Sequence, residues 1–175
     1  MRALVVYESM FGNTEQVAHA VTHGLAEHMD VECVEVSQAP HTIQQLLDLI
    51  VVGGPTHAFS MTRARTRDDA VQHGAPLERA ATGLRDWLEA LPPGPHSELV
   101  ATFDTRVDKM RHLPGSAARS AARAVRRLGF AQAIRPESFY VSEIDGPLLA
   151  GETARARAWG ERLAEQVRGR AGASS

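Results

Sequence analysis

The sequence predicts a three-layer α/β/α sandwich built on a five-stranded parallel sheet, and three observations carry that reading. Short apolar runs at residues 3–7, 49–52, 99–103 and 139–141 have the composition of strands buried on both faces. Helical patterns fill the intervals between them. Val17, Val21, Leu25 and Met29 are spaced by four in one, and Trp159, Leu163 and Val167 in another. Glycine, proline and small polar residues gather directly after the strands, where an open α/β sheet places its ligand crevice. Strand and helix alternate without an internal repeat, so residues 1–168 read as one domain and residues 169–175 as a disordered tail.

Bulk properties narrow the function classes. A chain of 175 residues can bury a sizeable core. Its formal net charge of −2 and pI near 6.4 are not the basic footprint of a nucleic-acid protein. The one cysteine, Cys33, has no partner for an intramolecular disulfide and reads as a small core residue, with no cationic neighbour to activate it. The eight histidines are scattered without ligand spacing, so no metal is expected. No apolar stretch approaches membrane-spanning length, and the chain opens on strand residues in place of a signal peptide. A cytoplasmic protein without membrane insertion is expected.

The first strand, residues 3–7, passes through Glu8-Ser9-Met10-Phe11-Gly12-Asn13-Thr14-Glu15 into a helix over residues 16–29. A strand that turns through hydroxyls and glycine into a helix start makes an anion site. The first helical N–H groups lack partners, and the macrodipole is positive there. Ser9, Asn13 and Thr14 can add donors, and Gly12 lets the backbone come close. The simpler alternative is a plain helix cap by Ser9 or Thr14. Neither a P-loop nor a three-glycine dinucleotide fingerprint is present.

Residues 31–36 alternate as an edge strand, and residues 39–47 should form a short helical segment opened by Pro40. The central strand at 49–52 runs into Gly53-Gly54-Pro55-Thr56-His57-Ala58-Phe59. A doubly wound sheet sets this loop beside the first. Phe59 is then a wall of the crevice or plain core. His57 is a solvated loop residue or a hydrogen-bond and proton donor to a bound ligand. Residues 60–77 read as a long loop with a helical turn at 68–72. Arg63, Arg65 and Arg67 alternate there as on an extended segment, either solvated or recognising an anionic partner or nicotinamide phosphates. Leu77, Ala80, Leu84, Trp87, Leu88 and Leu91 predict a helix over 77–91, ended by the prolines at 92, 93 and 95. After the fourth strand, 99–103, the loop from Asp104 to Asp108 forms a third wall; Arg106 belongs to the site or to a surface ion pair. Residues 115–128 form a helix with Arg119, Arg123, Arg126 and Arg127 solvated. The fifth strand, 130–141, is interrupted near Arg135-Pro136, and a last helix covers 153–167.

Residues 6–15 resemble the loop with which the flavodoxin family holds the phosphate of flavin mononucleotide (FMN). That family reads Ser/Thr-x-Thr-Gly-x-Thr, and this chain reads Ser9-Met10-Phe11-Gly12-Asn13-Thr14. The first, fourth and sixth positions match, while Phe11 stands where a hydroxyl donor is usual. Gly53-x-Pro55-Thr56-x-x-Phe59 is similar to the ring loop of flavodoxin-like quinone reductases. The resemblance covers Ala3 to about Val167 and implies a flavodoxin-like sheet of order 2-1-3-4-5. It implies FMN as cofactor, bound by Ser9, Met10, Phe11, Gly12, Asn13, Thr14, Pro55, Thr56, His57, Ala58, Phe59, Asp104, Thr105 and Arg106. Asp104 would disfavour the ring's anionic reduced form. Flavodoxins commonly carry a tyrosine in the third loop, and no aromatic residue occurs between Asp104 and Leu128. The family's activity implies electron transfer between redox protein partners. The alternatives are an NAD(P)H:quinone or porphyrinogen oxidoreductase with a small quinone-like substrate, and a flavin-free binding or regulatory module. The mild net charge differs from the strongly acidic surface of flavodoxin carriers.

Overall fold

Side chains along a strand point alternately to its two faces, so a strand apolar at every position needs cover on both. β1 (Arg2–Tyr7) and β3 (Leu49–Pro55) meet that condition, with only Arg2 and Pro55 at their ends not buried. The structure, a computed structural model describing residues 1–43 and 46–173, seats them inside a six-stranded parallel sheet. β2 (Asp30–Glu35), β4 (Leu99–Val107), β5 (Ala131–Gln132) and β6 (Glu137–Val141) complete it. The order is β2-β1-β3-β4-β5, as expected, with β6 also pairing β4. β5 and β6 are the two halves of the expected fifth strand. They pair with opposite ends of β4, and Pro136 lies in the gap.

Among the described residues the α-helices are α1 (Asn13–Ala26), α2 (Ala64–Gln72), α3 (Leu84–Ala90), α4 (Ala117–Leu128) and α5 (Glu152–Ala173), of which α1, α3, α4 and α5 cover the sheet and α2 packs against Met10. On one face Val5, Val51 and Phe103 pack under Val17 and Val21 of α1 and Trp159 and Leu163 of α5. Phe103, Phe139 and Trp159 meet edge to face, with centroids 6.0–6.1 Å apart. On the other face Leu4, Val6, Ile50 and Val52 pack under Leu84, Trp87 and Leu88 of α3 and Val125 of α4. Cys33 is half-buried on the edge strand, and burial pushes its thiol up, as suits a packing residue.

Several elements differ from expectation for identifiable reasons. α1 begins at Asn13 because Gly12 takes the left-handed conformation at its N-cap. The helical segment expected at 39–47 includes residues 44 and 45, which lie outside the described residues; its described remainder is not helical, and a 3-10 turn at Val36–Gln38 precedes it. Residues 64–72 form α2, which takes in the helical turn expected at 68–72 and extends it back through residues expected to be loop. Arg63 and Arg65 stay exposed while Arg67 turns inward, only 4% exposed. Its guanidinium pairs with Asp86 at 2.7 Å and donates to the Ala80 carbonyl. That intrusion also divides the helix expected over 77–91. A Cβ on Gly83 would lie 2.2 Å from Arg67 Nη1, so a 3-10 turn (Leu77–Ala80) precedes a separate α3, and Leu77 lies outside the core. β4 runs on to Val107 because β6 pairs with residues 103–107, so Asp104, Thr105 and Arg106 are strand, not loop. α5 continues to Ala173, into the segment expected to be a disordered tail; residues 174 and 175 lie outside those described.

Two glycines let α1 and α5 pack backbone to backbone. A Cβ on Gly24 would stand 2.1 Å from the Arg157 carbonyl oxygen, and one on Gly160 2.4 Å from that of Val21. Gly24→Ala should therefore destabilise the protein by about 1–3 kcal/mol through forced separation of the helices. The check is a lower urea midpoint with an unchanged m-value.

Candidate functional site

The carboxyl ends of β1, β3 and β4 lie side by side, and the chain leaves each through a different kind of loop. After β1, the Glu8 amide continues the ladder to the Gly53 carbonyl, and Ser9 turns under the loop. Ser9 Oγ accepts from the amides of Gly12 (3.1 Å) and Glu15 (3.2 Å), which closes the loop around its own hydroxyl. Among the described residues, the amides of Phe11, Asn13 and Thr14 find no protein acceptor. They sit at the start of a 14-residue helix, an arrangement suited to an anion. Glu15, also in that first turn, is neutralised by Arg79 at 2.9 Å, whose other nitrogen reaches the Ser9 carbonyl. Tyr7 donates to Glu15, and burial together with that carboxylate pushes the phenol up to about 12.

After β3, the Thr56 amide donates to the Thr105 carbonyl (2.8 Å), and residues 57–60 form a tight turn in which His57 and Ser60 exchange two 3.0 Å hydrogen bonds. Its central residues, Ala58 and Phe59, have φ of +46° and +63°. Left-handed backbone at two consecutive non-glycine residues is strained and persists only where surroundings enforce it. Gly115 supplies the room, since a Cβ there would lie 2.7 Å from the Phe59 carbonyl oxygen. The Ser60 hydroxyl anchors the turn to Ser120 at 3.0 Å and accepts from Arg85 at 3.1 Å. Burial pushes the His57 imidazole below its usual 6.5, against an upward pull from Asp69, so the ring is neutral at neutral pH.

From β4, Thr105 shares a 2.7 Å hydroxyl contact with Thr14 and so ties the first and third walls together. Arg106 is buried, and its Nη2 donates to the carbonyls of Met110 and Leu113, while its Nε has no acceptor among the described residues. Asp104 departs from expectation. It is fully buried and does not reach the cleft; its Oδ2 accepts from the Ala118 amide (2.9 Å) and the Thr56 hydroxyl (3.1 Å). Thr56 Oγ1 in turn accepts from the Ala117 amide, so both side chains serve the positive end of α4. A carboxylate so engaged is a helix cap, not a ring neighbour.

A cleft of about 230 Å³ opens between these walls. Ser9, Phe11, Asn13, Thr14, Pro55, Thr56, His57, Ala58, Phe59, Thr105 and Arg106 line it together, whereas Met10 packs inward against Ala70 and Ala75. Gly12 shapes the backbone without lining the cleft. Val107, Met110, Val141 and Ile144 also line it and were not anticipated. No local pattern marks them, because they reach the cleft from the end of β4, from β6 and from the segments after each. Asn13 Nδ2 holds the Asp145 carbonyl at 3.0 Å, and Gly146 lies so close that a Cβ would meet the Asn13 amide at 2.5 Å. Phe59 and Ile144, 44% and 67% exposed, give the cleft an apolar rim where an aromatic third wall is missing. A second cavity of about 400 Å³ shares Phe11, His57, Ala58 and Ile144 and adds Asp69 and His73.

Comparison with known proteins agrees with this geometry. The flavodoxin family profile matches residues 5–78, from β1 to the turn before α3. The structure of a flavodoxin from the domain Archaea superposes with a TM-score of 0.63 at 19% identity, over 96% of this chain and 99% of that one. Oxidised flavodoxin 2 from Bacillus cereus gives 0.67 at 18% identity, over 95% and 99%. Rubredoxin oxygen:oxidoreductase from Desulfovibrio gigas gives 0.63 at 14%, over 96% of this chain and 36% of that one. No curated protein matches the chain. The chain is flavodoxin-like in the sequence of its first part and in its fold as a whole.

Beneath the site, Glu8 is buried and accepts from the Thr62 hydroxyl and the Leu84 amide, and so caps α3. Burial raises its carboxyl above 4.5, with Thr62, Leu84 and Arg67 opposing. The folded state then holds this proton more tightly than the unfolded chain. Stability is therefore highest below about 4.5 as far as Glu8 is concerned and falls as pH rises through the raised value. Glu8→Gln, which keeps an acceptor and cannot ionise, should remove that part of the dependence. Urea midpoints of the variant should stay level over the range in which those of the parent decline.

Proposed function

We propose that this flavodoxin-like chain binds FMN in the cleft of strand ends and passes electrons between redox partners in the cytoplasm, residues 1–168 acting as one unit. The observation that carries the reading is the convergence, on one cleft, of unpartnered amides at the start of α1 and a strained turn bearing Phe59. The amides of Phe11, Asn13 and Thr14 would hold the phosphate, with the hydroxyls of Ser9 and Thr14 beside them. Met10 and Gly12 contribute backbone alone. The ring would be held by residues 55–59, Thr105 and Arg106, with Met110 and Ile144 in place of an aromatic wall. Bound FMN supplies the redox chemistry through its isoalloxazine ring.

The chain's own residues set the conditions for that chemistry. Arg106 is a buried cation with no carboxylate partner among the described residues, so it favours a negatively charged ring. Asp104, spent on α4, does not oppose it. Neutral His57 can donate one hydrogen bond without adding charge. The apolar rim of Phe59 and Ile144 offers a partner protein a dry contact beside the ring. A second reading, an oxidoreductase acting on a small quinone-like or porphyrinogen substrate, is favoured by the 400 Å³ cavity alongside. Phe11, which replaces the usual hydroxyl, forms part of both cavities.

Purified protein incubated with FMN and freed of unbound dye should retain one flavin per chain in its visible spectrum. Ser9→Ala combined with Thr14→Ala should weaken that binding at least about tenfold, the order expected for losing hydrogen bonds to a charged group. A colourless protein would overturn the proposal. Reduction only through a separate flavoprotein reductase selects the carrier, and direct NADPH oxidation with a quinone selects the enzyme.

A further inference from the structure

Away from the cleft of strand ends, α3 and α4 enclose a groove of about 440 Å³ that neither reading uses. Met61 and Leu88, both buried, belong to its apolar lining. Four arginines surround that lining: Arg63 before α2, Arg85 on α3, and Arg123 and Arg127 one turn apart on α4.

These four converge on one concavity without an ion pair there among the described residues. Arg67, Arg79, Arg111, Arg155 and Arg157 each sit in an ion pair, whereas none of the four in the groove does so among the described residues. Glu89 also lines the groove and pairs with none of them. α4 contains no acidic residue at all, so the like charges of Arg123 and Arg127 repel across one turn without relief. Arg85 is fixed in place, donating to the carbonyls of Thr62 (3.3 Å) and Met61 (3.3 Å) and to the Ser60 hydroxyl (3.1 Å). A solvated face would have neither a fixed guanidinium nor a concave apolar floor.

We infer that this groove binds a phosphate-bearing nucleotide. Guanidinium forks match phosphate oxygens in pairs, and the part-exposed Ala124 and Leu128, over buried Met61 and Leu88, suit the face of a heterocyclic base. The volume falls in the range of small-molecule sites, and the concavity favours such a ligand over the flatter surface of a protein. Ser60 lies in both the groove and the strained turn that walls the cleft, so an occupied groove touches that wall. The site stands whether or not FMN occupies the cleft.

Isothermal titration of the full chain with 2′,5′-ADP, adenosine and inorganic phosphate tests it. The expected result is saturable binding of one 2′,5′-ADP, at least about tenfold tighter than either fragment, and undiminished by excess FMN. Arg123→Gln with Arg127→Gln, both exposed positions, should weaken it at least about tenfold without lowering the thermal midpoint or the retained FMN. Arg63→Gln provides a second exposed variant with the same expected direction. Absence of saturation at millimolar 2′,5′-ADP would overturn the inference. So would phosphate binding as tightly as the nucleotide, displacement by FMN, or unchanged affinity in the variants.

Discussion

With Leu4, Val6, Ile50 and Val52 turned to one face and Ala3, Val5, Leu49 and Val51 to the other, the central strands require cover on both sides. A parallel ladder requires the chain to cross back over the sheet before each new strand, and a helical crossover does both tasks at once. The remaining architecture follows from that constraint. Every loop that leaves a strand at its carboxyl end and enters a helix opens on the same edge of the sheet. The ends of β1, β3 and β4 thereby become the walls of one cleft.

The same edge is where polar groups have to be buried, and the molecule answers with carboxylates placed against helix starts. Glu8 meets the first amide of α3, and Asp104 meets an amide in the first turn of α4. Each gives up hydration for hydrogen bonds from groups that the helix leaves unpaired and for a favourable place in its dipole. The start of α1 is different. Its N-cap is a glycine without a side chain, and the next two amides, of Asn13 and Thr14, face no protein acceptor among the described residues. Where two neighbouring helices are capped from within, this one keeps amides that no protein group caps among the described residues.

Cleft and groove share a boundary in the turn at 57–60. On the cleft side the turn presents Phe59 and a neutral His57; on the groove side its Ser60 is gripped by Arg85 and Ser120. Two left-handed residues held between such anchors, with Gly115 supplying clearance, form a rigid partition.

The sequence by itself determined the fold class and the anion-suited start of α1, while the strand order and the cleft residues of the first two loops came from the resemblance of Ser9 to Thr14 and Gly53 to Phe59 to flavodoxin loops. These are properties of contiguous stretches. Burial on both faces is written in residues 3–7 and 49–52, and the helix start is written in Ser9 to Thr14. Tertiary structure decided whatever depends on a distant partner. Residues 104–107 are strand because β6 pairs with them, and Asp104 is a cap because α4 begins beside it. The alternate spacing of Arg63, Arg65 and Arg67 suggested an extended segment, yet α2 is helical and Arg67 is drawn inward by Asp86 and Ala80. Val141 and Ile144 reach the cleft from more than a hundred residues away, and Arg85 joins Arg123 across two helices. Periodicity records which face of an element is buried; it holds no record of which other element does the burying.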